Sequence, residues 1–308
     1  MENNFVDKLS VDYQKRWADK QFFDRSLLND IDLEHVTLHG EVDNPMSSQA
    51  SCLNVMGYLN RHPDNIKFFF SKFSINITNV IDFPTGVDVG GEIYNDKGPI
   101  IFEWIGPRRS PIHERSGCRG KLRTSIDAYL LAMVNNKVTQ LLIEWKFSEN
   151  YNSEGYTHKF TGIQGNERLR RYSSVIAILR KEKKVPFNLS NKLGLYDLGY
   201  EPYYQLLRMT LLAKMTMHLR LSEDLQIEDY KIIHLVHSAN DSLKTLNMGN
   251  VKYSPGLRRF IGREIHDIWR NEILTPVESE HFVFGYWNKA IPQLSESEYK
   301  NYLIERYG

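Results

Sequence analysis

Residues 124–149, TSIDAYLLAMVNNKVTQLLIEWKFSE, decide the fold. Two apolar arms, 125–134 and 137–147, flank Asn135-Asn136, and asparagine suits the φ > 0 positions of a two-residue hairpin turn. In a strand, residues i and i+2 share a face. Glu144 and Lys146 therefore point one way while Ile143 and Trp145 point the other. That pattern is either a solvated, salt-bridged face or half of an active site. If the two asparagines form the turn, Val134 faces Lys137, and counting back along both arms sets Asp127 opposite Glu144 on the same face. Opposed carboxylates repel, so a bound cation, protonation of one acid or the neighbouring Lys146 must offset them. A turn of three residues would shift the register by one and spoil the match.

Around this hairpin the chain alternates strand and helix signals without repeats or low-complexity linkers. Residues 1–35 are polar and aromatic with patches of helical spacing. Asp43 or Asn44 before Pro45 marks a helix start, Ala50, Leu53, Val55, Met56 and Leu59 form its apolar stripe, and Pro63 follows its end. Residues 75–105 read as β-rich with a Gly90-Gly91 turn. A loop over 106–123 carries six Arg and Lys against one acid. Helices are expected at about 164–182, 201–220 and 255–273, with a buried strand over 230–236.

The 308 residues suffice for a large core, and 41% hydrophobic and 25% charged residues describe an ordinary globular balance. A net charge of +1 argues neither for nor against nucleic acid, so local charge matters instead. Two cysteines, Cys52 and Cys118, lie outside any C-x-x-C pair, which excludes a cysteine-rich zinc module or a disulfide framework. The start, MENNFVDKLS, lacks the basic and apolar regions of a signal peptide, and no run approaches the roughly 18 apolar residues of a membrane span. A cytoplasmic protein is the expectation, with the Asn76, Asn188 and Asn240 sequons chance matches.

Two carboxylates beside a lysine suit metal-assisted phosphodiester cleavage. Mg²⁺ prefers hard oxygen ligands and keeps several waters. It polarises the phosphate and lowers the pKa of an attacking water. A lysine orients that water or offsets charge developing on the phosphate. The carbonyl of Trp145 is a further candidate ligand. Asp127, a spacer of sixteen residues, then Glu144-Trp145-Lys146 at the end of an apolar strand resembles the PD-(D/E)xK nuclease superfamily. Ser47-Ser48-Gln49-Ala50, Thr124-Ser125-Ile126-Asp127-Ala128 and Ile143-Glu144-Trp145-Lys146, in this order, resemble more narrowly a family of bacterial restriction endonucleases within it. The resemblance spans about residues 40–240.

It implies an α/β (α+β) restriction-endonuclease-like fold, a central mixed sheet flanked by helices. The expected organisation is one nuclease domain with its core over 41–240, an N-terminal helical addition over 1–40 and a C-terminal one over 241–308. It further implies Mg²⁺-dependent DNA cleavage (Mn²⁺ substituting), with Asp127 and Glu144 as metal ligands and Lys146 as the catalytic lysine. Ile126 stands where the superfamily name has proline. Members often place another acid near the metal, and Glu41 and Glu103 are the candidates here, Glu103 alternatively serving as partner to a nearby arginine. Gln49, Ser125 and Gln164 are supporting candidates.

Arg108, Arg109, Arg115, Arg119, Lys121 and Arg123 of the basic loop are expected to grip phosphate, since Arg and Lys neutralise backbone charge and set register on a duplex. ERLRRYSSVIAILRKEKK, at 167–184, adds seven basic residues on an expected helix, either a charged outer face or a DNA contact. Other motifs fail. Gly117-Cys118-Arg119-Gly120-Lys121-Leu122 has Arg115 and Leu122 where a P-loop needs Gly and Ser or Thr, and neither a G-x-S-x-G elbow nor HExxH is present. The rival functions are a catalytically inactive DNA-binding or assembly module of the same fold, and a two-carboxylate glycoside hydrolase needing no metal. A homodimer would suit symmetric double-strand cleavage.

Overall fold

A computed structural model describes residues 11–308 apart from 19, 39, 41, 85, 87, 116, 121, 122, 152–157 and 248–251. The hairpin is its axis. Asn135 and Asn136 both take positive φ (50° and 59°), the conformation a tight primed turn demands. Strand β5 (Ile126–Val134) runs into the turn and β6 (Lys137–Lys146) leaves it, with Val134 paired to Lys137 and the ladder continuous to Ala128 and Ile143.

Strands β1 (Ile77–Ile81) and β4 (Ile100–Trp104) share the other side of β5, both antiparallel to it. Beyond β6 the sheet turns parallel, through β7 (Asp229–Val236) and β8 (Phe282–Tyr286). A separate two-stranded ribbon, β2 (Asp88–Val89) and β3 (Glu92–Ile93), is closed by the expected Gly90-Gly91 turn. Crossovers between parallel strands need long connections, usually helical. Between β6 and β7 these are α4 (Gly162–Lys181) and α5 (Tyr203–Met215).

Helices cover both faces. Packed on one face are α2 (Ser48–Arg61), α3 (Asp64–Ser71) and the final helix α6 (Glu298–Tyr307), whose Leu53, Met56, Phe69 and Leu303 bury against Leu130, Leu141 and Ile233. On the other, Tyr172, Val175, Leu206 and Leu207 of α4 and α5 bury against Tyr129, Leu142 and Ile232. Alternate residues of β5 and β6 thus serve opposite cores, which explains arms that are almost continuously apolar. A short N-terminal helix, α1 (Val11–Trp17), precedes them.

Three expectations are corrected. Helix α2 starts at Ser48 under a Ser47 cap, whose hydroxyl accepts from the Ala50 amide at 3.2 Å, rather than at Asp43 or Asn44. The single helix expected over 255–273 is broken into Pro255–Arg258, Ile265–Ile268 and a π-turn at Trp269–Ile273, with Gly262 at φ +89° between the first two. Residues 241–308 are more than a helical addition, because they supply β8 to the main sheet.

Candidate active site

The three stretches singled out in the sequence meet at the carboxyl end of β6. The N-terminal turn of α2 is tied to the end of that strand and to β4. Ser48 Oγ accepts from the Phe147 amide (2.9 Å), Ser51 Oγ from the Trp145 indole (2.9 Å), and Gln49 Nε2 donates to Glu103 Oε1 (2.9 Å). A cleft of about 380 Å³ opens there, lined by Ser47, Ser48, Gln49, Asp127, Lys146 and Glu149 among others.

The β5–β6 ladder ends one step before Asp127 and Glu144, and there a side chain replaces the backbone acceptor: Asp127 Oδ2 accepts from the Trp145 amide at 2.7 Å. This fixes Asp127 against the strand that carries the other two residues. Glu144 lies beneath the cleft at 1% exposure, its Oε1 2.5 Å from Lys146 Nζ. Its Oε2 is buried without a hydrogen-bond partner among the described residues. A buried, unsatisfied carboxylate oxygen is costly unless something further ligates it.

Acid outweighs base here. Glu103, Asp127, Glu144 and Glu149 surround one lysine. Burial, then the Asp127 charge, pushes Glu103 up to about 8 and raises Glu144 well above the ordinary carboxylate range. Burial opposes the charge on Lys146, yet Glu144 and Glu149 hold its pKa above the usual lysine value. With acid in excess over base, the carboxyl groups of this cluster take up protons more readily than free ones.

Glu103 sits at φ +52°, a conformation strained for a residue with a side chain. The flanking pairs Phe102–Ala128 and Trp104–Ile126 bracket Glu103 and Asp127. Of the two alternatives for Glu103, a direct arginine partner is replaced by Gln49. Glu149 was missed in the sequence, although it closes the LLIEWKFSE run. Its carboxylate accepts from the Phe147 amide (2.8 Å) and lies 3.8 Å from Lys146 Nζ. The oxygen donors fit a hard divalent cation, with Asp127, Glu144 and the Trp145 carbonyl as the set that would hold it. Among the described residues, no three His, Cys, Asp or Glu stand in a ready-made metal cage.

The remaining site expectations divide. Arg108 and Arg109 are exposed, and Arg115 is exposed while paired to Glu167 at 2.8 Å. Arg119 and Arg123 are corrected: both are buried and hold the loop together instead of facing solvent. Arg119 pairs with Asp96 at 2.7 Å and caps the Phe102 carbonyl, and Arg123 donates to the carbonyls of Ile105, Pro107 and Arg108. A buried guanidinium with five donors can satisfy several loop carbonyls at once. Ser125 serves the same loop, accepting from the Gly120 amide at 2.8 Å. Gly120, at φ +77°, lies where a Cβ would come within 2.2 Å of the Thr37 carbonyl, which gives the P-loop-like stretch a structural reason. Gln164 is exposed on the first turn of α4 and outside the cleft lining. Glu41 and Lys121 lie outside the described residues.

The mixed sheet, its helical layers and the antiparallel hairpin placed centrally define a restriction-endonuclease-like protein. The chain belongs to the family described as Restriction Endonuclease associating with ARP, which it matches over residues 4–308. No curated protein and no solved structure matches it significantly. Among the described residues, no helix is long and apolar enough to cross a membrane.

Proposed function

We propose that the protein is a metal-dependent endodeoxyribonuclease that hydrolyses DNA phosphodiester bonds, with Asp127 and Glu144 holding Mg²⁺ or Mn²⁺ and Lys146 assisting the attacking water. The observation that carries this is the convergence of Asp127, Glu144 and Lys146 at one cleft with an excess of acid over base. The bound cation would supply phosphate polarisation and a water of lowered pKa. Asp127, tied to the Trp145 amide, keeps its carboxylate in place before any ligand arrives, so little reorganisation is needed. Glu144 would hold the cation together with Asp127, and Lys146, which lies 3.8 Å from Glu149, would keep a carboxylate partner at the cleft floor. The amino end of α2, with Ser47 and Ser48 in the lining, offers backbone N–H groups to phosphate oxygens.

The test is supercoiled plasmid incubated with Mg²⁺ or Mn²⁺, with EDTA controls. Asp127→Asn, Glu144→Ala and Lys146→Ala should each abolish cleavage while the far-UV circular dichroism stays native. Full activity in any one of them sinks the assignment. A glycosidase would ignore EDTA. One observation favours the rival reading of an inactive DNA-binding module: the closed Lys146–Glu144 pair, which resembles a settled salt bridge. Metal-independent DNA binding with no cleavage would support that rival. The family description names association with ARP, and we carry that association to this chain as part of the same proposal. Cytoplasmic residence and a homodimer complete it.

A further inference from the structure

Outside the cleft, the basic loop and α4 enclose a second concavity of about 460 Å³, lined by His113, Arg115, Glu167, Arg170, Arg171 and Ser174. Three arginines face one carboxylate, so the groove carries a positive excess. Arg170 is exposed, Arg171 is half-buried, and neither has an acidic partner among the described residues. We propose that this groove is a clamp for the sugar–phosphate backbone of DNA, a contact separate from the cleft, and the proposal rests on DNA being the substrate.

The lining recognises charge and not bases. Apart from His113, whose Nδ1 lies 3.2 Å from Ser174 Oγ, it contains no aromatic ring on which a base could stack. That chemistry suits phosphate contacts, which position a duplex without reading its sequence. The walls are tied together by Arg115–Glu167 (2.8 Å) as well as by the histidine contact.

Between His113 and Arg115, Glu114 points inward. Its carboxylate accepts from the Tyr172 hydroxyl of α4 and from both the amide and the hydroxyl of Thr124, all at 2.8 Å. Thr124 lies three residues before Asp127. The groove is therefore held in register with the strand that carries Asp127, so a backbone gripped by Arg170 and Arg171 is positioned relative to the cleft.

The test is fluorescence anisotropy of a short labelled duplex with the full chain in EDTA, across a salt series. Proteins compared are wild type, Arg170→Ala/Arg171→Ala, and a control on the same basic run, Lys181→Ala/Lys184→Ala. Each lost phosphate contact lowers the log–log salt slope by about 0.9. The arginine pair should weaken binding about tenfold and reduce the slope by about 1.5 to 2, with unchanged thermal stability and the control near wild type. Unchanged affinity and slope in the arginine variant, an equal loss in the control, or no duplex binding by wild type would each overturn the clamp. Plasmid cleavage with Mg²⁺ is measured in parallel. Cleavage by wild type with normal binding by the arginine variant removes the clamp and leaves the nuclease. Loss of binding in that variant with no cleavage by wild type in any divalent cation keeps the clamp and removes the nuclease.

Discussion

Asp127 accepts the Trp145 amide, Glu144 holds an orphan oxygen beside Lys146, and Glu103 is strained and kept protonated near neutrality. Such a cluster is built at a cost to the metal-free fold, since like charges are pressed together in a poorly solvated place. Removing one acid should relieve it. Asp127→Asn retains an oxygen for the Trp145 amide, so it should raise the stability of the metal-free protein by about 1 kcal/mol while abolishing cleavage. Lys146→Ala should do the opposite, because it leaves Glu144 buried among acids without its cation. Thermal melts in EDTA decide it: a lower melting temperature for Asp127→Asn contradicts the account of the cluster as acid-rich and strained. At this scale spacing put Glu144 and Lys146 on one face, and the hairpin register brought Asp127 to them; the site reading came from that register together with the family resemblance. The fates of Arg119 and Arg123 were not legible, because an arginine in a loop reads the same whether it faces solvent or a row of carbonyls.

At the scale of elements, the site depends on a segment beyond the expected core. Strand β8 lies beside β7, and Trp287 directly after it stacks on Trp145 with ring centroids 4.6 Å apart. The Trp287 indole also donates to the Lys146 carbonyl at 2.9 Å, so the C-terminal region braces the end of β6. Trp287→Ala removes a fully buried ring and should cost about 3–5 kcal/mol, enough to threaten folding. Trp287→Phe keeps most of the apolar volume but loses the donor. It should fold, lose about 1–2 kcal/mol and cleave more slowly than wild type. Denaturant melts and cleavage rates check both, and a Trp287→Phe protein with wild-type rates would show that the brace is irrelevant to the site. The hairpin was readable from its turn chemistry, because Asn135-Asn136 act within a few residues. Strand β8 escaped because FVFGY is short, half exposed at the sheet edge, and pairs in parallel with a strand distant in sequence.

Across the whole molecule, three buried histidines make stability depend on acid. Burial lowers His237 to about 4 and His234 to about 3, and drives His266 well below its ordinary value. His237 is held neutral from both sides, its Nδ1 accepting from the Ala239 amide (3.2 Å) and its Nε2 donating to the Tyr307 carbonyl (2.8 Å). Such a group binds its proton less readily folded than unfolded. Its contribution is full above the unfolded pKa near 6.5 and is withdrawn as pH falls toward the folded value, by about 1.4 kcal/mol per pH unit for each group. Glu103 and Glu144, with raised pKa values, gain stability as pH falls through part of the same range, so the check is the difference between two proteins: His237→Gln should lose less melting temperature than wild type, or gain more, between about pH 6.5 and 4. A variant as acid-sensitive as wild type would assign the loss to other groups.

By itself the sequence determined the hairpin, the alternation that buries both faces of β5 and β6, and the Asp127, Glu144 and Lys146 constellation. Period-two patterning and a two-residue turn act over short distances, so local chemistry suffices. Tertiary structure alone decided that Gln49 holds Glu103, that Glu149 joins Lys146 at the cleft, that Arg119 is spent on Asp96, and that the C-terminal segment completes the sheet. Nearly all of these are pairings between distant segments. Which buried charge finds which partner depends on the packed core that excludes water, and that exclusion exists only once the layers have closed.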